Sequence, residues 1–263
     1  MLTLCLTAGP MLGDLLWTAT TLPALRSALP QAHLVWECAP ARFRKWLQLY
    51  EELDEVVADV EEMVPPPDEY LNLHPLWLPM DPARPILKNL FGLLAAWCPA
   101  VDTLPIRPYC PPLGLVDPAA DIPPGDFVCF DPQPGGVLFF SDELRRDWSA
   151  FVSLLALPAV QVGAAETPLL PGAKDARGDD PLAQALTIRA SRLFLGADTD
   201  SSCLAGALAT PQIWLEFPCS RWWWPRSAGP QSTRYLVGAG GTLDLPALVE
   251  LARGRLGERD VRT

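Results

Sequence analysis

Short apolar runs alternate with amphipathic segments along the first half of the chain. Runs of this length, separated by helical patterns, are typical of strands in a parallel sheet that is covered on both faces. The predicted strands are Leu2–Thr7, His33–Glu37 and Leu53–Val57, and the predicted helices run from Asp14 to Leu29 and over Ala41–Tyr50. The order strand, helix, strand, helix, strand predicts a doubly wound α/β domain.

A segment rich in proline and glycine, Tyr109–Gly125, interrupts this alternation. It has no amphipathic pattern, and such segments are typical of linkers. We therefore expect two domains, 1–115 and 116–263.

The strand and helix pattern restarts after the linker. Strands are predicted at Phe127–Phe130 and Val160–Gly163, and a helix is predicted at Ser141–Leu155 with Ser141 as its N-cap. The apolar residues expected on the core side of this helix are Leu144, Trp148, Phe151, Leu154 and Leu155. The second half is therefore also expected to be an α/β domain.

The stretch Arg192–Pro211 combines a buried strand, a turn and a helix. Leu193–Leu195 is the predicted strand, Asp198–Ser202 the turn and Cys203–Leu208 the helix, which Pro211 prevents from continuing. The start of such a helix presents free backbone N–H groups and a positive dipole end, which suit a phosphate or another anion. An ordinary N-cap without a ligand explains the same pattern.

Composition narrows the function classes. The chain has 263 residues, 49% of them hydrophobic. Its net charge of −11 argues against binding to nucleic acid or to an anionic membrane. Two histidines and seven scattered cysteines without a C-x-x-C pair give no metal motif. The sequence shows neither a basic signal-peptide start nor an apolar run of membrane-spanning length, so we expect a cytoplasmic protein.

A known family carries a motif close to the one in Arg192–Pro211. The positions in register with D-[ST]-G-x-x-H-L-A-x-A-L-G-x-P are Asp198, Thr199, Leu204, Ala205, Ala207, Leu208, Thr210 and Pro211. The stretch thereby resembles the family 9 glycosyltransferases, which include the ADP-heptose:lipopolysaccharide heptosyltransferases. Asp200 and Ala209 stand where this family has glycines, and Cys203 stands where it has histidine.

The beginning of the chain resembles the same family. Its G-D-x-[VL] and P-A-L-x-x-L-[KR] motifs are matched by Gly13, Asp14, Leu15, Leu16, Pro23, Ala24, Leu25 and Arg26. The resemblance implies that Asp14 is the catalytic base, although the same carboxylate could simply cap a helix. It also implies that Gly13 and Trp17, which often aligns with a histidine, lie at the acceptor side of a cleft. The chain is shorter than is typical of the family, and we expect the difference within Pro65–Cys110.

The second half carries the remaining matches. A basic residue after the first strand of this half usually contacts the donor diphosphate in the family, and here either Arg145 or Arg146 would serve. Glu166 matches a position that can hold nucleoside hydroxyls, although an exposed loop glutamate is an equally simple interpretation. In the run CSRWWWPR, Trp222 is a candidate for stacking in the cleft, with domain or subunit packing as the alternative.

Together these matches imply a GT-B-like α/β fold, in which two Rossmann-like doubly wound parallel-sheet domains face a cleft. The first domain would take the acceptor and the second the nucleotide sugar. The implied reaction transfers a sugar from a nucleotide-diphosphate sugar to an acceptor hydroxyl, without a metal or another cofactor. The implied donor-binding residues of the late motif are Asp198, Thr199, Asp200, Ser201, Ser202 and Cys203. A non-catalytic relative that kept the fold is the alternative, and the oligomeric state is left open.

Overall fold

The chain divides into two compact units, Met1–Val116 and Asp117–Thr263, in a computed structural model. The structure describes residues 2–9, 11–73, 86–101, 109–113, 126–135, 141–155, 157–217, 231–238 and 241–260. Trp222 lies outside these residues. The acceptor and donor roles assigned to the two domains stay predictions.

The first unit contains a parallel sheet of four strands in the order β3-β2-β1-β4. Its elements are β1 (Thr3–Thr7), α1 (Leu12–Ala19), α2 (Leu22–Ala28), β2 (His33–Glu37), α3 (Ala41–Leu47), β3 (Glu55–Val57), a 3-10 turn (Val60–Glu62), β4 (Glu69–Asn72) and α4 (Ile86–Trp97). The central residues of β1 and β2 are fully buried, as expected for strands covered on both faces.

The helix expected from Asp14 to Leu29 is in fact two helices. Thr20 and Thr21 separate α1 from α2, and their hydroxyl groups donate to Leu16 O at 3.0 Å and Thr18 O at 2.7 Å. Threonine hydroxyls that bond back to carbonyl groups compete with the helical pattern, and Pro23 is tolerated in the first turn of the new helix. The prediction of one continuous helix was wrong because it ignored this local competition.

The second unit contains a parallel sheet of six strands in the order β10-β9-β8-β5-β6-β7. Its elements are β5 (Val128–Gly135), α5 (Asp142–Leu154), β6 (Ala159–Gln161), β7 (Ala173–Asp175), α6 (Pro181–Ala190), β8 (Leu193–Asp198), α7 (Asp200–Ala207), β9 (Gln212–Glu216), β10 (Ser232–Leu236) and α8 (Leu245–Asp260). The chain first builds the sheet outward from β5 through β6 and β7. It then returns to the other side of β5 with β8, so the strand order reverses between β5 and β8. Two parallel α/β sheets confirm the predicted fold class.

Aromatic packing anchors α5 on this sheet. Trp148 stacks on Phe130 with ring centroids 5.3 Å apart and meets the ring of Phe151 edge-on at 5.7 Å. Ser141 caps the helix by accepting from Leu144 N at 3.1 Å, as predicted. Leu154 is 48% exposed, so its placement on the core side was wrong, because it ends the last turn where the helix leaves the sheet.

Two boundaries within Arg192–Pro211 also differ from expectation. Strand β8 continues past Gly196 and Ala197 to Asp198, and α7 begins at Asp200 rather than at Cys203. A Cβ at Gly196 would lie 2.9 Å from the Ser202 hydroxyl, so the glycine allows α7 to pack closely against the strand. Within the described residues, no helix is long and apolar enough to cross a membrane.

Arg26, which lies within the motif that begins at Pro23, has a structural role. Its guanidinium donates to Ala32 O at 2.8 Å, Glu52 O at 3.1 Å and Asp54 Oδ2 at 2.7 Å. Asp54 Oδ2 in turn accepts from Leu34 N at 2.8 Å. The side chain therefore fastens α2 to the segments that lead into β2 and β3.

We expect Arg26→Ala to lower the free energy of unfolding by about 1.5–3 kcal/mol, because the three acceptors would lose a charged donor. Arg26→Lys should recover only part of this loss, since an ammonium group lacks the planar fork. Chemical denaturation measures the effect. Arg253→Ala, at an exposed position on α8, is the control and should change stability by less than about 0.5 kcal/mol. An equally small effect of Arg26→Ala would contradict the structural role.

Candidate functional site

The candidate site lies at the carboxyl ends of β5 and β8. In open parallel sheets, ligands bind beyond the carboxyl ends of the strands where the strand order reverses, because neighbouring loops there diverge and leave a crevice. In the second unit this point lies between β5 and β8. The late motif begins there, since Asp198 ends β8 and Thr199 leads directly into α7.

Thr199 is the N-cap of α7. Its backbone is extended (φ −126°, ψ 167°), and its hydroxyl oxygen accepts from Ser202 N at 3.4 Å. The leading N–H groups of an α-helix point out of its amino end, an arrangement that suits an anion. Asp198, Thr199 and Asp200 are partly exposed, which leaves this end of the helix open to solvent.

The next three residues are buried. The Ser202 hydroxyl donates to Ala197 O, and Ser201 Oγ lies 3.2 Å from Gln184 Oε1. Cys203 is 7% exposed. These side chains face the protein, so contact with a donor at this turn would come from their backbone groups or from Thr199.

A buried carboxyl group, Asp131, lies beneath the start of α7. It is 2% exposed, accepts from Gln133 N at 3.1 Å and is hydrogen-bonded to the hydroxyl groups of Thr199 and Ser201. Burial raises its pKa to about 6, the charge of Asp200 adds to this rise, and the hydrogen bonds act in the opposite direction. Asp131 therefore changes its charge close to physiological pH.

Gly163 lies directly against the Asp131 carboxyl group. It has φ +100°, and a Cβ there would lie 2.8 Å from Asp131 Oδ1. Gln184 Nε2 donates to Gly163 O at 3.3 Å, which connects this loop to α6 and, through the Ser201 contact, to α7. The carboxyl ends of β5, β6 and β8 are thus joined by one polar network.

The other predicted donor-side residues lie in segments that leave this same edge of the sheet. Glu166 is exposed in the loop that follows β6, and Arg145 and Arg146 are exposed near the start of α5. Buried Gln161 holds the Glu166 loop by donating to Pro168 O at 2.9 Å and accepting from Leu170 N at 2.8 Å. Their contact with a donor stays a prediction.

The predicted acceptor-side residues lie in α1 of the first unit. Asp14 is partly buried in the first turn, and Met11, rather than Asp14, occupies the N-cap position. The order of the first sheet reverses between β1 and β4, and α1 follows β1, so Asp14 lies near the carboxyl edge at that reversal. Gly13 is buried and Trp17 is 6% exposed.

Sequence reasoning missed Asp131 and Gln184. Asp131 follows the apolar run Phe127–Phe130 directly, much as Asp198 follows the run that begins at Leu193. An acidic residue directly after a buried apolar run is a signal that was available in the sequence. Gln184 gave no comparable signal, since it is one polar residue on a helix. Within the described residues, no group of three or more histidine, cysteine or acidic side chains is arranged to hold a metal ion.

We expect Gly163→Ala to lower the free energy of unfolding by about 2–4 kcal/mol, because a strained backbone and a contact with a buried carboxyl group combine. Gly172→Ala is the matched control. Gly172 also has a positive φ of +82°, but its Cβ would have its nearest contact at 3.8 Å. Equal losses of stability in the two variants would show that the Asp131 contact adds nothing to the strain.

Asp131 also predicts a pH dependence of stability. Its folded-state pKa of about 6 exceeds its ordinary value of 3.8, so its stabilising contribution is present below about pH 4 and is lost as pH rises through 6. Full ionisation corresponds to roughly 3 kcal/mol. Relative to Asp131→Asn, the wild-type protein should therefore lose about 2 kcal/mol between pH 4.5 and pH 7.5, measured by urea denaturation. Parallel curves for the two proteins would contradict the shift.

Comparison with known proteins extends the likeness beyond the motifs. Neither a protein-family model nor a curated protein matches the chain by sequence. Among solved structures, E. coli ADP-heptose LPS heptosyltransferase II is similar with a TM-score of 0.67 and 14% identity, over 98% of this chain and 100% of that one. E. coli heptosyltransferase WaaC, solved with ADP, is similar with a TM-score of 0.72 and 12% identity, over 97% of this chain and 100% of that one.

A family 9 glycosyl transferase from Veillonella parvula DSM 2008 is similar with a TM-score of 0.67 and 15% identity, over 97% of each chain. The aligned span therefore runs almost from end to end in all three cases. At sequence identities this low, the structural similarity shows the fold alone. The location of the missing length within Pro65–Cys110 stays a prediction. The chain thus has the GT-B-like, heptosyltransferase-type fold that its motifs predict.

Proposed function

We propose that the protein is a glycosyltransferase that transfers a sugar from a nucleotide-diphosphate sugar to an acceptor hydroxyl. The observation that carries the proposal is the open N-terminus of α7, capped by Thr199, at the strand-order reversal of the second sheet. A diphosphate is the part of such a donor that this end of a helix suits. Because similar structures are described with ADP or named for ADP-heptose, ADP-sugars are the first donors to test.

The donor side would use backbone N–H groups of the first turn of α7 together with the Thr199 hydroxyl. Arg145 or Arg146 would add a bidentate cation to the diphosphate, and Glu166 would accept from nucleoside hydroxyls. Ser201 and Ser202 are buried, so their side chains would shape the turn, whereas Thr199 is partly exposed and can meet the donor. Asp198 and Cys203 would support the two ends of this turn.

Asp14 would be the general base. As the acceptor oxygen bonds to the anomeric carbon, the hydroxyl proton passes to the Asp14 carboxylate, and the bond between that carbon and the diphosphate oxygen breaks. The leaving diphosphate gains negative charge, which the dipole of α7 and an arginine would stabilise without a metal ion. The partial burial of Asp14 at the reversal of the first sheet supports this role.

A non-catalytic nucleotide-binding or scaffold role is the second candidate. The observation that favours it is the pair of acidic side chains, Asp131 and Asp200, at the start of α7. Negative charge near a bound diphosphate weakens its binding unless protons or cations compensate for it. The two candidates differ in whether a sugar is transferred.

Incubation with mixed ADP-, UDP- and GDP-sugars, followed by mass spectrometry, tests the activity directly. We expect release of one nucleoside diphosphate together with a product one sugar heavier than an added acceptor, or with free sugar when no acceptor is present. Parallel reactions with EDTA and with added iron or magnesium test metal independence. Nucleotide binding without any sugar release or transfer would favour the scaffold role.

Thr199→Ala should weaken donor binding about 10-fold or more, because a hydrogen bond to a charged phosphate is lost. Thr199→Ser keeps a hydroxyl group and should largely restore binding. Isothermal titration gives the affinities, and thermal unfolding separates them from the loss of the cap. Unchanged donor affinity in Thr199→Ala would contradict the donor site.

Asp14→Asn should lower kcat by about 100-fold or more and leave donor affinity unchanged, because it removes the proton acceptor and keeps the shape of the side chain. Glu61→Gln, at an exposed acidic position of the same unit, is the control and should retain activity. Full activity of Asp14→Asn would exclude Asp14 as the base.

A further inference from the structure

None of the proposed donor contacts involves Asp131. It lies beyond the last apolar residue of β5, and its carboxyl group is hydrogen-bonded to the N-cap hydroxyl of α7 and to the second residue of that helix. A charge at this place lies beneath the N–H groups that would meet a diphosphate. Because Asp131 is 2% exposed, water screens this charge poorly.

The groups that face Asp131 do not neutralise it. From α7, Asp200 contributes a second negative charge, and Thr199 and Ser201 contribute hydroxyls. The loop after β6 contributes the backbone of Gly163, behind which lies the uncharged amide of Gln184. From β5 itself comes Cys129, a thiol kept neutral because burial raises its pKa well above the ordinary value. Within the described residues, no cation is among the groups that shift the Asp131 carboxyl.

We propose that Asp131 is a positioning residue that couples donor binding to protonation: its carboxylate takes up one proton from solvent when a diphosphate binds at the start of α7, and returns it when the diphosphate leaves. The inference rests on the proposed function and adds a control of affinity by pH. Apart from this transfer of a proton between solvent and the Asp131 carboxylate, no covalent bond forms or breaks.

The physical reason is the addition of negative charge beside a carboxyl group that water does not reach. A bound diphosphate makes ionisation of Asp131 less favourable, so the proton is held more tightly in the complex. The neutral carboxyl can still accept from Gln133 N and can donate to the Ser201 or Thr199 oxygen, so the turn keeps its hydrogen bonds. The pKa of about 6 in the free protein means that a proton can be gained close to neutral pH.

The test is titration calorimetry with ADP-glucose between about pH 5 and pH 8, using the full chain. Each phosphate of this probe carries one ester and one anhydride bond and has no group that titrates near neutral pH, so the charge of the probe is constant over this range, whereas free ADP would itself titrate. The variants are Asp131→Asn, which keeps the size and hydrogen-bonding capacity of the side chain, and Glu250→Gln, which removes an exposed carboxylate on α8.

For the wild-type protein and Glu250→Gln, we expect affinity to fall by up to about tenfold per pH unit above pH 6, the slope for uptake of one proton. Asp131→Asn should show little slope and should bind more tightly than the wild type at pH 8. Repeating the titration at pH 7 in buffers of different ionisation enthalpy should reveal proton uptake by the wild type that is absent from Asp131→Asn.

Two results would overturn the inference while leaving the donor site intact: equal pH slopes in the wild type and Asp131→Asn, or a uniformly weaker Asp131→Asn with an unchanged slope, which is the signature of a structural role. If neither ADP-glucose nor inorganic pyrophosphate binds at any pH, both the donor site and the inference fall.

Asp200→Asn gives an independent result should Asp131→Asn not fold. Removing the neighbouring charge should shift the onset of the affinity loss to lower pH, because Asp131 then ionises more easily. An onset that stays at the wild-type pH would overturn the inference.

Discussion

The direction of the strands constrains the rest of this protein. All strands of the described sheets run parallel, so every crossover returns to the amino end and every strand leaves its last residue at the same edge. The central residues of β1, β2 and β8 are apolar and buried, as expected for strands covered on both faces. Polar and charged residues therefore gather at the carboxyl edge, and the reversal of strand order opens the space between them.

A single buried carboxyl group organises that edge in the second unit. Asp131, where the regular pairing of β5 with β8 stops, connects β5 to the cap of α7 and lies against Gly163, which has no Cβ to occupy the same space. Gln184 joins the same network from α6 through Ser201 and Gly163. The geometry of the turn proposed to bind a diphosphate and the charge beside it are thus set by the same contacts.

Asp131 has two opposing effects on the diphosphate binding proposed for this turn. The hydrogen bonds of Asp131 hold the first turn of α7 in place, whereas its negative charge opposes the ligand that the turn suits. Protonation separates the two effects, because a neutral carboxyl keeps its hydrogen bonds and loses its charge. Asp200 stands where the resembled family has glycine. Its negative charge adds to the repulsion of an anionic ligand and raises the pKa of Asp131.

The sequence by itself determined the α/β class, most strands, the Ser141 cap and the motif at Asp198 and Thr199, because apolar periodicity and capping chemistry are local. It could not determine where one helix becomes two at Thr20, since hydroxyl groups there compete with the helix through bonds that periodicity does not record. Nor could it assign Ser201 and Ser202 to the buried side of α7 or bring Asp131, Gly163 and Gln184 together. Those contacts join residues 17 to 70 positions apart, so only the strand order and the packing of α6 and α7 decide them.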